Sequence, residues 1–223
     1  MTTLAFDVYG TLIDTHGVVR LLTTFLGEAH APIFSQRWRD KQLEYSFRQG
    51  LMRDYQGFKF CTTAALAYTA AEFERKYSLG LSNAQQTALI EHYSQLPAFN
   101  DVRESLLRLK NSGHRCYAFS NGSHEAVSEL LKNAKIFDLF DDIVSCEEVQ
   151  SYKPNPDVYH HFTKKTSAEG KGTWLISSNS FDIIGAAAVG WNTAWLQRTD
   201  DALFDPWDIE PTQIIASLDK LKL

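Results

Sequence analysis

Apolar and polar positions alternate in two different rhythms along this chain, and the change between them predicts the fold. The first apolar run, Leu4-Ala5-Phe6, closes on Asp7 and is followed shortly by Gly10. A short apolar run with a turn residue behind it reads as a buried strand. From 15 to about 96, glycine and proline are sparse and apolar residues recur at helical spacing: Leu21, Leu22, Phe25 and Leu26, then Phe34, Trp38, Tyr45 and Phe47. A stretch over 58–77, rich in alanine and aromatics, and another over 83–95 continue that rhythm. The spacing predicts about four helices and no strand, with Gly80 ending the third and Asn83 capping the fourth.

After Pro97 the rhythm becomes strand, loop, helix, repeated. A helix carrying Val102, Leu106 and Leu109 stops at Gly113; an apolar run over 115–119 then leads into Ser120-Asn121-Gly122-Ser123. A helix with Val127, Leu130 and Leu131 inward comes next, then a strand over 142–149. Lys153-Pro154-Asn155-Pro156 breaks the chain before a helix near Pro156. Further strands are expected over 173–177 and 192–196, and Ile214, Ile215, Leu218 and Leu221 suggest a closing helix. Such alternation implies parallel strands covered by helices on both faces. The expected fold is α/β: a Rossmann-like, doubly wound parallel sheet core (1–14 and 97–223) with a helical cap (15–96) inserted after the first strand, over the sheet's carboxyl edge.

Polar residues cluster where these strands end: Asp7 and Thr11, Ser120 and Asn121, Lys153, then Ser177, Asn179 and Asp182. Each taken singly has a bland reading. Asp7 could cap a loop, Lys153 before a proline could be solvated, and Arg39 could lie on an exposed helix face. Several polar strand ends in one chain instead point to a crevice at the carboxyl edge of an open sheet, where such folds bind ligands.

Composition narrows the partners. A formal net charge of -5 argues against nucleic acid, which selects basic surfaces. No apolar run has membrane-span length and no signal segment opens the chain, so no membrane partner is expected. Three widely spaced cysteines (Cys61, Cys116, Cys146) read as reduced thiols of a cytoplasmic protein. Seven histidines, including His160-His161, show no metal spacing and read as surface residues, while Trp191 and Trp195 read as packing residues.

The segments AFDVYGTL, FSNGS, YKPNPDVY and SSNSFD, in this order, resemble the haloacid dehalogenase superfamily of hydrolases. The likeness is closer to its L-2-haloacid dehalogenase branch, through Trp38-Arg39-Asp40-Lys41-Gln42-Leu43-Glu44-Tyr45. Phosphatases of this superfamily carry a second Asp two residues after the nucleophile and an acidic pair at a later strand, which hold magnesium. This chain has Tyr9 at the first place and Ser177-Ser178-Asn179, with Asp182 the one carboxylate, at the second. Magnesium prefers a carboxylate-bearing set of hard oxygens, so no metal and no cofactor are expected. Halide leaves without needing a proton.

The resemblance implies hydrolysis of short-chain (S)-2-haloalkanoic acids to (R)-2-hydroxy acids and halide, through an ester on Asp7. Lys153 is expected to counter the Asp7 charge, and Arg39 and Asn121 to cradle the halide. Ser120 with the backbone N–H groups of Val8 and Tyr9 is expected to hold the substrate carboxylate. Thr11, Tyr159, Ser177, Asn179 and Asp182 match positions that orient the nucleophile, the lysine and the hydrolytic water. Which of them activates the water stays open, with Asp182 the first choice. Tyr9, Leu43, Phe58 and Phe181 are expected as an apolar wall; Phe181 stands where many of the resembling enzymes have tryptophan, and Ile183-Ile184 where they have smaller residues. A homodimer through the cap is a further implication. The alternative is a magnesium-dependent phosphatase or phosphonatase of the same superfamily.

Overall fold

The computed structural model describes residues 2–223; Met1, the first residue of the expected core range, lies outside the described residues. Strand β1 (Thr3–Asp7) is followed by four helices, α1 (Val19–Leu26), α2 (Ala31–Met52), α3 (Phe58–Tyr77) and α4 (Asn83–Tyr93). Then come α5 (Val102–Asn111), β2 (Arg115–Ser120), α6 (His124–Asn133), β3 (Asp142–Ser145), α7 (Pro156–Thr166), β4 (Thr173–Ser177), α8 (Ser180–Ala188), β5 (Asn192–Leu196) and β6 (Gln213–Ile215). The sheet is parallel throughout, in the order β3-β2-β1-β4-β5-β6. β1 is thus the strand from which the winding runs outward in both directions, the position beside which open α/β sheets bind their ligands.

Alternation along β1 divides the interior. Leu4 and Phe6 pack with Val102, Leu106 and Leu109 of α5 and Val127, Leu130 and Leu131 of α6. Ala5 packs with Val158, Tyr159 and Phe162 of α7 and Ile183 and Ala186 of α8. The first of these cores continues without a break into Phe34, Trp38, Leu66 and Phe73 of α2 and α3. The chain enters and leaves the helical segment through two adjacent connections: Ile13 bridges Ala98, the Phe99 N–H donates to the Leu12 carbonyl and the Asp14 N–H to the Pro97 carbonyl. Among the described residues, no helix is long and apolar enough to cross a membrane.

Three expected boundaries move and one element changes type. The expected strand over 142–149 stops at Ser145, where Ser145 and Glu148 form a capping box that winds Cys146–Val149 into a 3-10 turn. Ser82, not Asn83, caps α4, since Gln85 lies three residues on and completes a box with it. α3 ends at Tyr77 with Ser78 in the left-handed region (φ 57°), before Gly80, whose missing Cβ leaves room for the Glu74 carboxylate. The closing helix does not form. Gln213–Ile215 instead adds to the sheet edge as β6, and Leu218–Lys220 is a 3-10 turn that buries Leu218. Pairing with β5 satisfies the backbone of a segment too short for a stable helix. Trp191 and Trp195 are buried packing residues as expected.

Gly185 of α8 lies against α7: a Cβ there would stand 2.7 Å from Pro154 Cβ and 2.4 Å from the Tyr159 hydroxyl. Gly185→Ala improves helix propensity by about 1 kcal/mol but overpacks a contact costing about 1–3 kcal/mol. The expected result in thermal denaturation is a lower Tm.

Candidate active site

Asp7 is the last residue of β1, level with Phe119 of β2 and one position beyond the Phe6–Ile176 pair of β4, so its carboxylate emerges between the ends of both neighbours. The chain then turns sharply. The Val8 carbonyl accepts the N–H groups of Thr11, Leu12 and Ile13, and Gly10 takes a φ of 82° that glycine adopts at no steric cost. This turn brings the Thr11 hydroxyl back to donate to Asp7 Oδ2 at 2.7 Å. Ser178 holds the turn in place, its N–H donating to Thr11 Oγ1 and its hydroxyl to the Gly10 carbonyl.

The two oxygens of Asp7 have unequal surroundings. Oδ2 accepts from Thr11, from Asn179 Nδ2 at 2.7 Å and from Ser177 Oγ at 3.1 Å. Among the described residues, Oδ1 accepts only from Lys153 Nζ, at 3.2 Å. The Lys153 ammonium, 1% exposed, also donates to Asp182 Oδ2 at 2.7 Å and to the Phe119 carbonyl at 2.9 Å, which uses all three of its protons. Burial alone would lower the Lys153 pKa, but Asp182 and then Asp7 outweigh it and hold the group charged, above its ordinary value. Burial lifts the Asp182 carboxyl to about 6, even with Lys153 opposing the shift. Tyr159 donates to Asp182 Oδ1 at 2.8 Å; burial, and next that carboxylate, push the phenol well up.

Arg39 approaches from α2 and joins this cluster at its rim. Its Nη2 donates to the Tyr9 carbonyl at 3.3 Å and to Asn179 Oδ1 at 3.5 Å, and its Nη1 to Gln42 Oε1 at 2.7 Å. Among the described residues no carboxylate pairs with Arg39, whereas Arg37, two positions earlier, is bound to Glu72. Gln42 is buried and fixed in turn by donating to Thr62 Oγ1 at 2.6 Å. A cavity of about 300 Å³ is walled in part by Trp38, Arg39, Gln42, Tyr93, Ser178 and Asn179.

Of the residues expected from the sequence, Asp7, Thr11, Lys153, Tyr159, Ser177, Asn179, Asp182 and Arg39 form one hydrogen-bonded network. Asn121 supports it indirectly, Oδ1 accepting the Lys153 N–H at 2.9 Å. Ser120 ends β2, buried, with Oγ accepting the Gly122 N–H. Tyr9 lies between aromatic neighbours, its ring 5.6 Å from Phe58 and 5.7 Å from Tyr93. Two side chains are less closely tied: Leu43 is half-buried one helical turn beyond Arg39, and Phe181 packs edge-on against Phe47. The bland readings of Lys153 and Asp7 do not survive, since both are buried against opposite charge. His160 is exposed; His161 is half-buried against Glu148. Ser178 and Gln42 carry site contacts without having been singled out; both sit inside the quoted motifs, but nothing in residue type distinguished them from their neighbours.

Removing the shared cation tests this geometry. Lys153→Met leaves two buried carboxylates without a counter-charge, and breaking such an arrangement costs about 3–5 kcal/mol. Without the ammonium the Asp182 carboxyl rises further, while in the unfolded chain it ionises near 4. The native state then binds the extra proton, so stability falls as pH rises above about 4. Urea denaturation is expected to show a larger loss at pH 8 than at pH 5.

Known proteins share this chain's sequence and fold. The profile of the haloacid dehalogenase-like hydrolases matches residues 1–190. The chain is 34% identical over 216 residues to an (S)-2-haloacid dehalogenase of Pseudomonas sp. (strain YL), covering 96% of this chain and 90% of that one. It is 32% identical over 216 residues to an (S)-2-haloacid dehalogenase of Pseudomonas putida, covering 96% and 92%. The solved L-2-haloacid dehalogenase from Xanthobacter autotrophicus with chloropropionic acid covalently bound superposes with a TM-score of 0.88 at 25% identity, over 98% of this chain and 96% of that one. With the profile spanning most of its length, the chain belongs to the haloacid dehalogenase-like hydrolases.

Proposed function

We propose that this protein hydrolyses short-chain (S)-2-haloalkanoic acids to (R)-2-hydroxy acids and halide, with Asp7 as nucleophile. The observation that carries the reading is the uneven treatment of the Asp7 carboxylate. Among the described residues Oδ2 is held by three donors, and Oδ1, accepting from Lys153 alone, keeps one lone pair free beside an ammonium that Asp182 shares. Oδ1 forms the new bond to C2 from the side opposite the halogen, and the C2–halogen electron pair departs with the halide. Inversion at C2 follows from that approach. Arg39, lacking a carboxylate partner, and the Asn121 amide supply the positive environment for the leaving anion.

In the resulting ester Oδ2 is the carbonyl oxygen. Attack by water on Asp7 Cγ places negative charge on Oδ2, where Thr11, Ser177 and Asn179 already donate. Donors fixed in advance at a developing oxyanion are a large source of rate enhancement. The Cγ–Oδ1 bond then breaks: Oδ1 leaves as the hydroxyl oxygen of the hydroxy acid, taking up a proton that the water supplied, and the water oxygen replaces it in the restored carboxylate. Asp182, pushed to about 6 by burial, is ionised at neutral pH and serves as the base that takes the water proton. Ser120 and the backbone N–H groups of Val8 and Tyr9 hold the substrate carboxylate, and Tyr9, Leu43, Phe58 and Phe181 line the apolar wall. The helical segment 15–96 acts as the cap that brings Arg39 to the core (1–14 and 97–223) and excludes water.

A magnesium-dependent phosphatase reading finds less support: Tyr9 replaces the second carboxylate, and the Lys153 ammonium lies between Asp7 and Asp182 where a divalent ion would need their oxygens. Three buried free thiols support a cytoplasmic setting. Exposed Ile33 on α2 and Phe60 and Tyr68 on α3 support a homodimer through the helical segment.

Incubation with the separate enantiomers of 2-chloropropionate is expected to release chloride from the (S) form only, at a rate unchanged by EDTA. Chelator-sensitive phosphate ester hydrolysis without halide release would overturn the assignment. Asp7→Asn is expected to abolish turnover while circular dichroism shows the fold intact. A pH profile of kcat should fall below about 6 as Asp182 takes up a proton, and the Asp182→Asn variant should be inactive at every pH.

A further inference from the structure

Thr11 is gripped from both sides. Its hydroxyl donates to Asp7 Oδ2, and its carbonyl is the acceptor for Arg198, a residue 187 positions away in the sequence. Arg198 stands two residues beyond the end of β5. Its Nε and Nη2 both donate to the Thr11 carbonyl, at 3.1 and 2.6 Å. Its Nη1 meets both oxygens of Asp101 at 2.8 Å, and the guanidinium lies 4.1 Å over the Phe99 ring. Asp101 is itself tied down, Oδ2 accepting the Leu218 N–H at 2.6 Å. Every partner of this guanidinium is therefore fixed, and the side chain is 13% exposed.

Resting on the reading that Asp7 is the nucleophile, we propose that Arg198 is a positioning residue for the reaction: by holding the Thr11 carbonyl, with Asp101 as its anchor, it aims the Thr11 hydroxyl at Asp7 Oδ2. Arg198 bonds to neither oxygen of Asp7, although it lines the same cavity as Arg39 and Asn179. Its fork restrains the peptide plane after Thr11, while the Val8 turn and the Ser178 N–H, which donates to Thr11 Oγ1, restrain the residue from the other side. The site gains a donor that needs no reorganisation when charge reaches Oδ2. A misplacement of about 1 Å in such a group can cost about 100-fold in rate. The bland alternative is that Arg198 merely staples the Phe99–Asp101 connection to the core; that role would affect stability alone.

A kinetic double-mutant cycle separates the two. Arg198→Met keeps the stem over Phe99 and removes the donors. On the wild-type background it is expected to lower kcat for (S)-2-chloropropionate by about 10- to 100-fold, with KM changed less than about threefold. On the Thr11→Val background the same change should cost less than about threefold, because the hydroxyl it aims is gone, while the loss in Tm should be equal in both. Equal losses of kcat in the two backgrounds, or an unaltered kcat, overturn the proposal. Should Arg198→Met not fold, Arg198→Gln, too short to hold the Thr11 carbonyl and Asp101 together, replaces it with the same criterion. A crystal structure of the variant decides the matter without substrate: a Thr11 hydroxyl still within hydrogen-bond distance of Asp7 Oδ2 overturns the proposal, and a lengthened contact supports it. Absence of halide release from the wild type would refute the proposed activity instead, leaving the structural criterion to judge Arg198.

Discussion

One buried ammonium holds two carboxylates that could not otherwise share the interior. Asp182 is fully buried and Asp7 nearly so, and each ion carried out of water costs several kcal/mol unless charge and hydrogen bonds compensate. Lys153 supplies that compensation with all three protons, one of them to the Phe119 carbonyl. Among the described residues the arrangement leaves Asp7 Oδ1 with a single long contact while Oδ2 accepts from three donors. A carboxylate in water would present two equivalent, hydrated oxygens; here one is held and the other is free to react.

The sheet explains why these groups can meet. With β1 in the middle of a parallel sheet, its carboxyl end is flanked by the ends of β2 and β4, which contribute Ser120 and Ser177. The loop after β3 carries Lys153, the loop after β4 carries Asn179, and the first turn of α8 carries Asp182. None of these residues takes a positive φ. The exception is the turn at Gly10, where a positive φ lets the chain double back and return Thr11 to the carboxylate that precedes it.

The helical segment contributes one charged group to this cluster, and a relay positions it. Thr62 fixes Gln42, Gln42 fixes Arg39, and Arg39 leans on Asn179 and the Tyr9 carbonyl. Because the apolar core of α2 and α3 is continuous with one face of the sheet, the relay stands on a packed base. Side chains held by packing keep geometry that solvated ones would lose.

Much of this was legible in the residue order, for reasons that are local. Short, largely apolar runs marked β1, β2, β4 and β5 because strands covered on both faces have little polar side to show. Helical spacing marked α1 to α4, and polar residues at the strand ends marked the crevice. The local rules failed at the chain's end, where Ile214 to Leu221 has the apolar content of a helix and forms an edge strand and a turn: the choice depended on an open β5 edge that no short stretch of sequence reveals. Composition and motif order thus determined the fold class, the carboxylate at the strand end and the family. Only the tertiary structure decided which oxygen of Asp7 is left free, that Asp182 shares its lysine, and that Arg198 grips Thr11, because these rest on contacts between residues from 29 to 187 positions apart, and spacing along a chain carries no such distances.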